Sequence, residues 1–203
     1  MERHGHHNQP LLDWDAASAM DLTDHERELL RDTAFESVEF GFAQQREMPV
    51  SAVDYPATLQ VEKASFVTLR HDGELLGCIG TLRPRRPLVC DVVHNAYHAA
   101  FSDPRFAPLG AEQLTDLDLH ISILSLLEHL DVQSEGDLLA QLRPGIDGLL
   151  IEDGARAATF LPAMWPRLPD PRTFLRALKE KAQLPPNYWS ETIRTYRYTA
   201  FEI

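Results

Sequence analysis

One short stretch constrains the fold more than any other: residues 74–81, Glu-Leu-Leu-Gly-Cys-Ile-Gly-Thr. The pair Asp72-Gly73 precedes it, and the mostly apolar segment Ser65–Arg70 comes before that pair. An aspartate-glycine pair between two such runs is typical of a tight hairpin turn. We therefore predict a β-hairpin whose second strand carries one cysteine close to two glycines.

The residues Gly77, Cys78 and Gly80 mark a candidate site on this strand. Glycine inside a strand contributes no packing and commonly indicates a bulge or the close approach of another group to the backbone. In an extended segment Cys78 shares one face with Leu76 and Gly80. Its thiol would then lie beside an open patch left by Gly80. We predict a cleft at this strand, with Gly77 and Gly80 as ligand-binding positions.

The rest of the chain predicts a mixture of helices and hairpins. Thr23 and Glu26 match a capping box, which predicts a helix from there to about residue 45. Strict alternation of apolar and polar residues predicts a strand over Leu117–Ser125. The elements do not alternate as βαβ units, so we predict an α+β fold with a largely antiparallel sheet flanked by helices. The remaining predictions are a helix over 88–102, a short helix over 135–142, a hairpin over 148–161, a helix over 170–182 and a final strand over Thr192–Ile203.

Composition limits the class of protein. The chain has 203 residues and a net charge of −12, which disfavours binding to nucleic acid. No run approaches the roughly 20 apolar residues that cross a bilayer, so we predict no membrane contact. Two cysteines form no disulfide scaffold, and we predict a cytoplasmic protein. Residues 1–22 are predicted as a flexible leader, and 23–203 as one domain.

Several motifs in one chain resemble the AMMECR domain family, and within it the prokaryotic AmmeMemoRadiSam system protein A. The family hallmark Leu-Arg-Gly-Cys-Ile-Gly corresponds to residues 75–80, in which Leu76 replaces the arginine. The resemblance extends from about residue 24 to the end of the chain. The other matching motifs are Asp103-Pro104-Arg105-Phe106, Ile121–Leu124, Gly145–Leu149, Ala158–Pro162 with Trp165, and Phe174-Leu175 through Lys181-Ala182 to Trp189.

The resemblance implies a main sheet, a smaller subdomain and a cleft near the hallmark, but no settled activity or cofactor. It also implies a pathway shared with Memo-like and radical S-adenosylmethionine proteins. The departure at Leu76 implies that any anion-binding role of the family arginine is lost here or is taken by Arg83 or Arg105. Arg83 belongs to a local basic cluster with Arg85 and Arg86, which is either a solvated loop or an anion or partner contact.

Three functions remain open from the sequence. The first is a ligand-binding or accessory component of that pathway, which acts through the Cys78 cleft with Asp103 and Arg105 as ligand-binding residues. The second is a cysteine-dependent enzyme with Cys78 as the nucleophile and His120 or His98 as the base. The third is a scaffold that only docks partners.

The histidines His94 and His98 lie four residues apart on a predicted helix, a spacing that suits two metal ligands. The glutamate that follows the first histidine in zincin motifs is absent, because Asn95 stands there. We interpret the pair as surface or internally bonded polar residues, and we predict no metal site.

Overall fold

The structure, a computed structural model, describes residues 22–203. The predicted leader lies outside the described residues except for Leu22, which is buried. The helices are α1 Asp24–Gln44, α2 Leu88–Phe101, α3 Ala111–Leu114, α4 Glu135–Gln141 and α5 Pro171–Lys181. The strands are β1 Ser65–His71, β2 Glu74–Gly80, β3 Asp118–Leu124, β4 Glu128–Leu130, β5 Gly148–Asp153, β6 Arg156–Phe160, β7 Arg194–Tyr198 and β8 Ala200–Glu202.

The first lobe is built on an antiparallel sheet with the strand order β2-β1-β3-β8. One face of this sheet packs against α1 and α2, where Val67 and Leu69 of β1 and Ile121 and Ile123 of β3 are buried. Every second residue of a strand points to the same face. The residues between these apolar positions therefore lie on the opposite face, away from the helices.

The second lobe is built on another antiparallel sheet, with the strand order β4-β7-β5-β6. Its core contains Leu149 and Ile151 of β5 and Phe174 and Leu178 of α5. The Trp165 ring stacks on Phe174 with 4.0 Å between the ring centroids. Each lobe thus has its own apolar core. The predicted α+β fold with largely antiparallel pairing is confirmed, and the strands are divided between two sheets.

The final predicted strand is divided between the two lobes. Its first part, β7, belongs to the second sheet, and its second part, β8, belongs to the first. Thr199 separates them, and two hydrogen bonds of 2.9 Å with Ser125 hold this crossing: the Ser125 amide donates to the Thr199 carbonyl, and the Thr199 amide donates to the Ser125 hydroxyl. The prediction of one continuous strand over Thr192–Ile203 is therefore wrong.

Within residues 22–203, a small apolar cluster and an ion pair lie between the two lobes. Ala64, Leu124 and Tyr198 are buried there, and Phe66 packs against them. Nearby, the guanidinium of Arg83 lies 3.5 Å from the carboxylate of Glu152 in the second lobe. The outer face of the first sheet thus borders the second lobe. No helix between residues 22 and 203 combines the length and the apolar character that a membrane crossing requires.

Candidate functional site

A β-bulge in the first hairpin determines which side chains of β2 face outward. The pairing of β1 with β2 shifts at Leu69 and Arg70, whose partners are Gly77 and Leu75. Leu76 is the extra residue of the bulge. Its side chain packs against the core of the first lobe. Simple alternation, which assigns Leu76 to the face of the cysteine, is therefore wrong at this position.

The Cys78 thiol lies on the outer face beside Thr68, its cross-strand partner on β1. The Thr68 hydroxyl donates a hydrogen bond of 3.3 Å to the sulfur, and the cysteine is half-buried. On its other side Thr68 pairs with His120 of β3. Cysteine, threonine and histidine therefore form a row across three strands, about 10 Å from end to end at the strand spacing of roughly 4.8 Å.

Thr68 lies between His120, the candidate base, and Cys78, the candidate nucleophile, and keeps the two side chains apart. His120 is exposed, and its Nε2 lies 3.0 Å from a carboxylate oxygen of Asp118 on the same strand. Among residues 22–203, no histidine nitrogen forms a hydrogen bond with the sulfur of Cys78. The arrangement gives Cys78 a hydroxyl neighbour instead of an imidazole.

Asp103 and Arg105, in the loop after α2, clamp the backbone of the cysteine. The Cys78 amide donates to Oδ2 of Asp103 at 3.0 Å, and Nη2 of Arg105 donates to the Cys78 carbonyl at 2.8 Å. Arg105 also donates from Nε at 2.9 Å and from Nη2 at 2.6 Å to the two oxygens of Asp103. These bonds from Arg105, above all, lower the pKa of the buried Asp103 to about 2.

A second cation, Lys181 of the other lobe, lies within electrostatic range of Arg105 and Cys78. Lys181, at the end of α5, donates from Nζ to the Thr159 carbonyl at 2.9 Å and lies over the Phe160 ring. Loss of surrounding water lowers the pKa of Lys181, and repulsion by Arg105 lowers it further, against the opposing effect of Cys78. The ammonium, the guanidinium and the thiol therefore share one electrostatic environment.

The two glycines of the hallmark have close neighbours on opposite faces of β2. A Cβ atom on Gly77 would lie 2.0 Å from the Ala99 carbonyl oxygen of α2. A Cβ atom on Gly80 would lie 2.2 Å from the ring of Phe66. The patch beside Gly80 is thus covered by an aromatic ring rather than open. Tight packing accounts for both glycines, and their contact with a ligand stays a prediction.

The histidines His94 and His98 lie on α2, on the helical side of the first sheet, and share a partner that the sequence pattern missed. His94 Nδ1 lies 3.1 Å from both carboxylate oxygens of Glu47, and His98 Nε2 lies 3.6 Å from one of them. Burial lowers the pKa of His98, and the charge of His94 lowers it further, against the opposing effect of Glu47. His98 is therefore not positioned to act as a base for Cys78.

The basic cluster after β2 takes part in structural contacts. Arg83 pairs with Glu152 across the lobes and lies over the Tyr196 ring. Arg86 lies 3.7 Å from the buried Asp91, whereas Arg85 is exposed. Arg105, rather than Arg83, is thus the arginine beside Cys78.

Sequence reasoning missed Thr68 and Lys181 as neighbours of Cys78. The pairing of Thr68 with the cysteine follows from the hairpin register, which the bulge obscures. Two features of the sequence weakly indicated a functional role for Lys181. It is one of only three lysines in the chain, and it belongs to a motif shared with the resembled family.

These features define a two-lobed α+β protein with a half-buried cysteine on the outer face of its first sheet. An uncharacterised protein from Pyrococcus horikoshii, PH0010, has a similar crystal structure, with a TM-score of 0.82, 30% sequence identity, and coverage of 89% of this chain and 92% of that one. The AMMECR1 family model matches residues 31–203, and the chain belongs to the AMMECR1 family.

Archaeal relatives support this assignment. A protein of Methanothermobacter thermautotrophicus is 37% identical over 153 residues, which cover 72% of this chain and 78% of the relative. The protein MJ0810 of Methanocaldococcus jannaschii is 34% identical over 154 residues, which cover 72% and 75% of the two chains. The printed names of these two relatives and of the Pyrococcus protein give no activity.

Proposed function

We propose that this protein binds a small anionic ligand in the cleft at Cys78 and serves as a ligand-binding or accessory component of a larger pathway. The supporting observation is the guanidinium of Arg105, which donates to the Cys78 carbonyl at 2.8 Å, together with Lys181 of the second lobe, whose pKa Arg105 lowers by repulsion. An anion between the two cations would relieve their mutual repulsion. The chain has a net charge of −12, so its surface as a whole does not attract anions, and two neighbouring cations form a local exception.

Both cations keep hydrogen-bond donors for a ligand. Within residues 22–203, the bonds of Arg105 occupy Nε and Nη2, so its Nη1 donors remain. The Lys181 ammonium uses one of its three N–H donors in the hydrogen bond to the Thr159 carbonyl. It forms no ion pair with a carboxylate of the described residues. The Thr68 hydroxyl and the Cys78 thiol add polar groups on the outer face of the first sheet.

The experiment is a calorimetric titration with inorganic phosphate and with a series of small carboxylates, on the full chain and on Lys181→Gln. A hydrogen bond to a charged group contributes about 1.5–3 kcal/mol, so the substitution is expected to weaken binding about tenfold or more. Arg176→Gln is the matched control, because Arg176 is an exposed cation of the same helix. Equal weakening in both variants would mean nonspecific charge attraction and would contradict the proposal.

The alternative function is a cysteine-dependent enzyme, and the partial exposure of Cys78 beside the guanidinium of Arg105 favours it. Burial raises the pKa of Cys90, so its thiol is expected to react slowly with an alkylating reagent and serves as an internal reference. Alkylation followed by mass spectrometry is expected to modify Cys78 before Cys90. Turnover of a bound ligand that Cys78→Ser abolishes and His120→Asn reduces would favour the enzyme over the binding protein.

We further propose that the pathway is shared with Memo-like and radical S-adenosylmethionine proteins and lies in the cytoplasm. The support is the hallmark resemblance, together with two cysteines that are both free thiols. Co-purification with the full chain as bait tests the partnership, and Lys181→Gln serves as the comparison. Recovery of neither class of protein would contradict it.

A further inference from the structure

Glu47, His94 and His98 form a cluster on the helical side of the first lobe, separated from the Cys78 cleft by the sheet. One possible ligand atom from each residue lies within 4.8 Å of the others. The two imidazole rings are 4.3 Å apart between centroids and tilted by 55°. All three side chains are partly exposed, so an ion from solvent has access to them.

The fold brings these residues together from α2 and from the segment that follows α1. Gln45 adopts a left-handed conformation with φ of 53°, which ends α1 and turns the chain back toward α2. Glu47 follows two residues later and approaches α2 at His94. The histidines themselves are four residues apart on one helix, and successive turns of a helix present such residues on the same face.

The two helices hold the cluster rigidly. Gly41 of α1 lies against the Tyr97 ring, because a Cβ atom there would come within 2.6 Å of it. Ser37 donates a hydrogen bond of 2.8 Å to the Val93 carbonyl of α2. The Tyr97 ring also packs edge-on against His98 with 5.2 Å between centroids, which orients that imidazole.

We propose that Glu47, His94 and His98 form a binding site for a divalent transition-metal ion of the zinc class. Two imidazole nitrogens and one carboxylate are a donor set that zinc takes, with bonds of about 2.0–2.1 Å. Tetrahedral bonds of that length separate neighbouring ligand atoms by about 3.3–3.4 Å. The carboxylate-to-imidazole distances of 3.1 Å and 3.6 Å lie on either side of this value.

The three protein ligands leave the fourth tetrahedral position to solvent or to another ligand. An ion there would replace the direct hydrogen bond between Glu47 and His94 and would join the chain after α1 to α2. The site therefore also predicts that bound metal raises the stability of the first lobe, since an ion that binds only the folded state stabilises it.

The test uses the full chain with His4, His6 and His7 changed to alanine, because those leader histidines could bind metal by themselves. Zinc is titrated against a chromophoric chelator, and one ion per chain is expected. Glu47→Gln keeps the shape of the side chain but removes its charge, and it is expected to weaken binding at least tenfold. His98→Asn is expected to abolish binding and the zinc-dependent rise in melting temperature.

His25→Asn in the same background is the matched control, since His25 is an exposed histidine of α1 and is expected to leave the affinity unchanged. Circular dichroism verifies the fold of each variant, and Glu47→Gln alone decides the question if His98→Asn is misfolded. Zinc binding that is absent from the background protein, or that is unaffected by Glu47→Gln, would show an ordinary hydrogen-bonded cluster and overturn the proposal.

Discussion

At the scale of single residues, Asp103 holds the backbone of the candidate site in place. Its carboxylate is buried and accepts hydrogen bonds from the Cys78 amide and from three nitrogens of Arg105, which are the backbone amide, Nε and Nη2. The arginine lowers the pKa of this carboxyl from 3.8 to about 2. The folded state therefore favours the ionised form, and this preference contributes to stability.

We predict that Asp103→Asn lowers the free energy of unfolding by about 2 kcal/mol at pH 7, from the size of the pKa shift. Because the folded pKa is the lower one, the contribution is complete above about pH 4 and is lost as the pH falls toward 2. The difference between the two proteins is expected to shrink to about half at pH 3. Urea unfolding at the two pH values measures it.

Asp118→Asn provides the control for this change, because Asp118 is an exposed carboxylate on β3. It is expected to alter stability by less than about 0.5 kcal/mol at either pH, as surface substitutions commonly do. A loss in Asp103→Asn that is identical at pH 3 and pH 7 would mean that packing, rather than ionisation, explains the role of Asp103.

Residues near each other in sequence were the ones that sequence reasoning associated correctly. Asp103 and Arg105 are two positions apart in one motif, and both contact Cys78. Lys181 and Glu47 were missed as partners because each reaches its cluster from a different element. Their positions depend on how α5 and the segment after α1 dock, which local patterns do not encode.

At the scale of elements, the contact between β2 and α2 depends on one glycine. A Cβ atom on Gly77 would lie 2.0 Å from the Ala99 carbonyl oxygen, and a backbone oxygen inside a helix cannot rotate away. The helix carries buried residues of the main core on the same side, including Val92 and Ala96. Separating the strand from the helix would therefore disturb the whole first lobe.

We predict that Gly77→Ala lowers the free energy of unfolding by about 3 kcal/mol, near the upper end of the cost of overpacking. The midpoint of urea unfolding measures the change. Gly136→Ala in α4 is the control, because the nearest atom to its Cβ position is 3.6 Å away. Alanine is the better helix former, so this variant is expected to gain up to about 1 kcal/mol.

A Gly77→Ala protein as stable as the unchanged chain would contradict the packing role of this glycine. Element types were largely predictable, since caps and turns are local signals: the capping box of Thr23 and Glu26 is formed, and the Asp72-Gly73 turn joins β1 and β2. The bulge at Leu76 was not predictable, because it depends on the pairing of two strands.

At the scale of the whole molecule, the two lobes are linked by a chain that changes sheets twice, once between β3 and β4 and once at Thr199. The second crossing escaped prediction because the β-forming residues on both sides of Thr199 resemble one strand. Each lobe has its own core, and the cluster around Tyr198 is the smaller contact between them. We therefore expect the lobes to open with separate free energies.

Deleting residues 200–203 tests this expectation, because it removes β8 from the first sheet and leaves β7 in the second. The Ile121 amide donates to the Ile203 carbonyl at 3.0 Å, and Ile203 donates back to Ile121 at 2.9 Å. We predict that amide hydrogen exchange of β3 accelerates strongly in the shortened chain, whereas exchange of β5 and β7 changes little.

Ile203→Ala is the milder companion of the deletion, because it keeps the strand and removes only a buried side chain. It is expected to cost about 2 kcal/mol, the lower end for such a core substitution, and to act on the first lobe alone. Equal acceleration of exchange in both sheets would mean that the cores unfold as one cooperative unit. In that case the candidate site at Cys78 would belong to a single cooperative unit. A ligand bound by Arg105 and Lys181 would then stabilise both lobes equally.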